Sequence, residues 1–250
     1  MRKLLIGLFL ISILSSYELD EGILDEVKPF LIEESHPVKK ALDKIFKEHN
    51  FRIIQNDFSI LAAGFSTFGE RHTSGMRVLM HKKLPNYVIK TYLDEHLDKN
   101  DWMYCVYRVK GRNAIQEVID SRSCDKLFIT PKKWIYKIES PHKPPSSLNE
   151  QHFLLVSEFI DILPREKNRD KWKIKPNRDT LWHLYHILQE TGAQDCNFVD
   201  NIPYCKEGRI AFIDTETTHR WPVNFYKLDH YLSPFMVTYW HQLIKSEGEK

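Results

Sequence analysis

The charge of this chain has no excess of one sign: 36 Lys and Arg stand against 34 Asp and Glu, a formal net charge of +2. Nothing in that balance asks for nucleic acid or an anionic membrane as a partner. Nor is there an apolar run long enough to cross a bilayer, since the most apolar stretch, Leu4 to Leu14, is 11 residues against the roughly 20 that a spanning helix needs. Internal repeats and low-complexity tracts are absent too. Cysteine is scarce, and the spacing of Cys105, Cys124, Cys196 and Cys205 matches no zinc signature.

What is present agrees with one globular domain. Among 250 residues, 42% are hydrophobic and 12% aromatic, enough for a core of ordinary size. Met1-Arg2-Lys3, the apolar run and then Ser15-Ser16 read as a secretory signal peptide over residues 1–16, which implies a secreted or otherwise extracytoplasmic protein. An uncleaved amino-terminal anchor is the alternative.

After this leader, Glu21 to Asn50 shows helical spacing, with Ile23, Val27, Phe30 and Leu31, then Val38, Leu42, Ile45 and Phe46, as apolar stripes separated at Pro37. Residues 17–50 thus form a helical extension that supports the sheet-forming part of the chain. Phe51 to Leu93 reads as several strands, Asp101 to Ser121 as a helix, and Lys126 to Ile138 as a strand pair broken by PKK. Ser140 to Glu150, rich in Pro and Ser, is an exposed loop. Arg165 to Lys175 reads as a charged, solvent-facing loop, Asn177 to Glu190 as a helix, and Phe225 to Lys245 as an aromatic-rich helix or helix pair. His183 and His186 lie at i and i+3 on the helix but lack a third ligand, and are ordinary helix residues.

The most informative segment is Gln194 to Glu216, QDCNFVDNIPYCKEGRIAFIDTE, which sets Asp195, Asn201 and Asp214 around a β-hairpin. The KEG at Lys206 to Gly208 makes the turn, and Arg209 to Ile213 resumes as an apolar strand. Two short strands and a turn return Asn201 and Asp214 to one edge. Phosphoryl transfer needs such a set: one carboxylate to orient the attacking hydroxyl, and an amide oxygen and second carboxylate to hold magnesium. The hairpin also brings Cys196 near Cys205, the preferred disulfide among three pairings, with free buried thiols as the other reading.

Two further segments point the same way. YVIKTYL, Tyr87 to Leu93, alternates as a strand and places Lys90 inside an apolar run, and HFLLVSEFIDI, His152 to Ile162, is a hydrophobic strand entering an acidic stretch. Together with the Asp loop, these segments make residues 52 to 245 similar to the protein-kinase-like superfamily, in the broad sense that includes small-molecule and secreted kinases. The resemblance implies an α+β, two-lobed fold over residues 51–250, with an antiparallel N-lobe sheet (51–156), a hinge (157–162) and a reduced helical C-lobe (163–250). It implies ATP and Mg2+ as cofactors. Lys90 would meet the nucleotide phosphates, and Glu117, or else Glu95, would orient Lys90. Glu158 would lie beside the nucleotide in the hinge, Asp195 would direct the acceptor hydroxyl, and Asn201 with Asp214 would hold the metal. The acceptor would be a small molecule, a glycan or a protein.

Departures from the family pattern are equally specific. Ala193 stands where a catalytic loop has His, and Asn201 lies six residues after Asp195 rather than five, so Asp200 or Asn197 competes for the amide position. FIDTE replaces the Asp-Phe-Gly triplet, and Gly64, Gly69 and Gly75 do not reproduce a GxGxxG loop, although backbone amides there would still cradle phosphate. The segment after Asp214 leaves no room for a long activation segment or the usual peptide-docking helices. An active phosphotransferase and a pseudokinase acting as a binding module are both compatible with these residues. FIDTETT also resembles the first motif of DEDD-type exonucleases, with Asp214 and Glu216 on one strand face, but that motif opens its domain, and here Asp229 is the single acid between Glu216 and the final SEGEK.

Overall fold

The structure is a computed structural model that describes residues 20–68, 75–96 and 101–248. Residues 1–16, expected as a signal peptide, and Gly69 lie outside them. In chain order the helices are α1 (Glu21–Val27), α2 (Pro37–Glu48), α3 (Asp57–Ala62), α4 (Asp101–Ser121), α5 (Arg165–Ile174), α6 (Arg178–Thr191) and α7 (Pro234–Gly248). The strands are β1 (Phe65–Thr67), β2 (Arg77–His81), β3 (Tyr87–Thr91), β4 (Phe128–Ile129), β5 (Lys133–Lys137), β6 (Phe153–Glu158) and β7 (Ile210–Ala211). Five of these form one antiparallel sheet in the order β1-β2-β3-β6-β5, so the fold is α+β.

Strand periodicity gives this sheet two apolar faces. Ile89, Leu154, Val156 and Tyr136 point to one face and meet Leu42, Ile45 and Phe46 of α2 and Ile60 of α3. Ile135, Phe153 and Leu155 point to the other, against Cys105, Val106 and Val109 of α4 and Val27 of α1. The helical extension thus covers a sheet face. Pro37 starts α2 at a position where a missing N–H costs nothing, and the His36 ring nitrogen accepts from Val38 N at 3.2 Å. Farther along, α4 enters a second core, where Ile115 and Ile119 meet Trp172 of α5, Leu184 and Leu188 of α6, Phe212 and Trp240 of α7. One helix therefore belongs to both cores.

Three local expectations need correction. Residues 57–62 are helical, because Asn56 caps Ser59 N at 3.0 Å and starts a helix within the stretch read as strands. Residues 165–174 are helical, not a loop: Asn168 and Trp172, four apart, are buried on one side of an otherwise charged helix. The two strands around PKK do not pair with each other. β4 joins β7 in a separate parallel pair, while β5 edges the main sheet. Among the described residues no helix is long and apolar enough to cross a membrane.

A buried ion pair pins the sheet half together. Arg52 donates to both Asp94 oxygens at 2.9 and 3.0 Å and to Gln151 O at 2.5 Å, while Asp94 also accepts from Gln151 N at 2.9 Å. The segment before α3, the end of β3 and the entry to β6 meet at this pair, which is almost wholly buried. Asp94→Ala leaves the buried Arg52, among the described residues, with only the longer 3.9 Å ion pair to Glu150, and is expected to cost about 3–5 kcal/mol in denaturant unfolding; a loss under about 1 kcal/mol would assign the pair no structural weight.

Candidate functional site

The segment Ile213–Thr218 runs between the sheet and α4, and side chains from both hold it there. Lys90 of β3 donates to Ile213 O at 3.3 Å, and Lys133 of β5 donates to the same oxygen at 3.2 Å and to Thr215 Oγ1 at 2.8 Å. β3 and β5 flank β6, and period-two alternation aims both lysines at the face that also carries Ile135 and Leu155. From α4, Arg108 donates to Asp214 Oδ1 at 3.3 Å and forms an ion pair with Glu216. Thr215 Oγ1 donates back to Arg108 O at 2.7 Å. Gly111, one turn on, makes the approach possible, since a Cβ there would lie 2.0 Å from Thr215 O.

The expected loop residues converge on this segment. Asn201 donates its amide to Asp195 O at 2.9 Å, and its main-chain carbonyl accepts from Ile213 N at 3.1 Å. Cys196 donates its thiol to Asp214 O at 3.3 Å. Asp195, Asn201 and Asp214 are thereby stitched to one another through main-chain groups. Of the rival candidates for the amide position, Asp200 pairs through one oxygen with Arg165 and Arg169, both at 3.1 Å, and Asn197 donates its amide nitrogen to Asn224 O at 2.7 Å while its buried Oδ1 takes no partner among the described residues. The hairpin forms as expected, with Cys205 N on Arg209 O and Ala211 N on Pro203 O, both at 2.8 Å.

Other expectations are overturned or displaced. Glu117 lies on α4 but is exposed, nine residues or about 13.5 Å beyond Arg108; the helix presents an arginine to Asp214 and Glu216 where a glutamate was expected. Glu95 is exposed as well. All four cysteines are free and buried: Cys196 sits on the turn beside Asp214, while Cys205 belongs to the hairpin's far end, bridged to Ile162. Glu158 lies three ladder positions from Lys90, about 10 Å, and its carboxylate accepts from Lys132 N at 2.9 Å. It helps line a pocket of about 490 Å³ with Asn86, Phe159, Asp161, Lys206 and Arg209.

Lys133 and Arg108 escaped the sequence reading, yet each left a trace. Arg108 falls on the stripe of Cys105, Gly111 and Ile115, and Lys133 is in phase with buried Ile135. A cation on an apolar stripe signals a buried partner.

Burial alone would raise the Asp214 carboxyl, but Lys90, Arg108 and Lys133 hold it well below the usual carboxylate range. Burial lowers both lysines, Lys133 the further because Lys90 is its neighbour, while Asp214 acts in the opposite sense. Glu216 is raised, by burial first, against the pull of Arg108; Asp214 and Asp195 add to the rise. When all are ionised, the cations Lys90, Lys133 and Arg108 balance the carboxylates Asp195, Asp214 and Glu216. The Asn201 amide and Asp214 carboxylate are hard oxygen donors of the kind magnesium takes. Their surroundings, however, already contain a full complement of positive charge, and among the described residues no three His, Cys, Asp or Glu side chains gather as a metal site. This donor set does not fit a resident magnesium ion.

Gly111→Ala tests the docking of α4. Alanine favours a helix over glycine by roughly 0.8–1 kcal/mol, but the methyl would collide with the Thr215 carbonyl, so a net loss of about 1–3 kcal/mol is expected in denaturant unfolding. A stabilised variant would contradict the close approach. Compared with protein-family models, curated proteins and solved structures, the chain matches none.

Proposed function

We propose that this chain is a kinase-like protein that binds the phosphates of ATP between the sheet and the helical core and transfers the terminal phosphoryl group to a hydroxyl. The supporting observation is the Asn201 bridge, which ties Asp195 to the segment leading into Asp214 while Lys90 reaches the same segment from the sheet. The order of elements agrees with a kinase-like chain: lysine strand, helix, connecting strand, helix, Asp loop, hairpin, Asp. The connection after β6 is fastened at both ends, by Phe159 N on Asn86 O and Leu163 N on Tyr204 O, each at 2.8 Å. It links the two cores in the manner of a hinge.

In this reading Lys90 contacts phosphate oxygens as a point charge. Asp195 receives or directs the proton of the attacking hydroxyl. Asp214 holds Lys90 and Arg108 in place, and Asn201 fixes the loop geometry. The acceptor is a hydroxyl of a small molecule, a glycan or a protein. A second reading, a pseudokinase that binds nucleotide without chemistry, is favoured by one observation: Arg108 occupies Asp214 and Glu216 together.

ATP at 100 times its dissociation constant is expected to add about 2.7 kcal/mol of stability, a shift abolished in Lys90→Met. Asp195→Asn is expected to keep that shift and to slow transfer from γ-labelled ATP by about 10²–10⁴-fold. Absence of any shift would overturn nucleotide binding, and a shift without transfer in the native protein would favour the pseudokinase.

A further inference from the structure

The two lysines face a single carboxylate, Asp214, which they share with Arg108. Their ammonium groups flank a single carbonyl, Ile213 O, at 3.3 and 3.2 Å. Each ammonium carries three donors. Lys133 spends two, on Ile213 O and Thr215 Oγ1, and Lys90 spends one. Three N–H donors are therefore left without a partner among the described residues, one on Lys133, which is 5% exposed, and two on the half-buried Lys90. The carboxylate that faces these lysines, Asp214, is shared with Arg108, whose guanidinium also serves Glu216. A divalent ion arriving at Asp214 would add positive charge to a cluster that already crowds two lysines together. An oxygen-rich anion would relieve that crowding, take the unspent donors and favour the charged form of both amines.

We infer that the cleft binds the polyphosphate of a nucleotide without an obligatory divalent cation, with Lys133 and Lys90 gripping it and Arg108 supplying further fixed positive charge where a metal ion would otherwise stand. This rests on the nucleotide-binding reading and assigns Lys133 as a second phosphate-binding residue. Two fixed monovalent cations, Lys133 and Arg108, match the charge of one divalent ion. Lysine is suited to this, being a compact charge with rotatable donors. Arg108, tied to both acids, fixes the carboxylates so that they do not draw the lysines away from the ligand.

Calorimetric titration of ATP into the full chain, once with excess EDTA and once with excess magnesium, tests the inference. The dissociation constant in EDTA is expected to lie within roughly threefold of that in magnesium, a difference under about 0.7 kcal/mol. Lys133→Met is expected to weaken binding in EDTA by about tenfold or more and to be partly rescued by magnesium. Binding by the native chain in magnesium alone would overturn the inference while leaving the nucleotide reading standing. Binding in neither condition would overturn both. The native comparison does not depend on any variant folding.

Discussion

The clamping of Ile213–Thr218 between the sheet and α4 is the constraint on which the rest of the structure depends. That segment has no strand pairing among the described residues, so its position depends on Lys90 and Lys133 from the sheet, on Arg108 and the close approach at Gly111 from the helix, and on main-chain bonds from Asn201 and Gln194. The contacts are directional and largely buried, and those of the sheet and helix come from three different elements. The Asp loop is subordinate to this clamp, because Asn201 and Cys196 reach the same segment through its backbone.

The demands of this arrangement fall on α4, which must pack on two cores and still present Arg108. Its start is fixed by Asp101, which accepts from Trp102 N and from His152 N and Phe153 N at the head of β6. Burial raises the Asp101 carboxyl despite these three donors. α1 packs alongside, and Ile32 N donates to Ile135 O at 2.9 Å, covering the otherwise open edge of β5. The amino-terminal helices thus act on the cleft indirectly: they cover the sheet, support α4 and so hold Arg108 against the two acids. Losing one partner of such a buried set costs several kcal/mol, because the remaining charge has no water to turn to.

Much of this was legible in the sequence where periodicity or turn chemistry is local. The Lys90 strand, the long helix at 101–121, the hairpin after Asn201 and the apolar stripes of α2 follow from spacing alone. What was not legible depended on partners distant in the chain. Glu117 looked suited to Lys90 because it lies on the right helix, but the helix turns it to solvent and brings Arg108 inward, 106 residues from Asp214. The Cys196–Cys205 pairing failed because a hairpin brings its strands together without making its ends meet. α5 hid behind its charge, since two inward residues, Asn168 and Trp172, suffice to hold it. The family resemblance rests on three short motifs, and at one of them the structure joins Asp195, Asn201 and the Ile213–Asp214 segment through main-chain contacts.

The central claim, that fixed cations of the cleft hold nucleotide phosphate, is tested most directly by a crystal structure of the chain grown with ATP in the presence of EDTA. Phosphate oxygens are expected within hydrogen-bonding distance of the Lys90 and Lys133 amines, with Asp214 still held by Arg108. A nucleotide seated instead in the pocket beside Glu158 and Phe159, or phosphates directed away from both lysines, would contradict it.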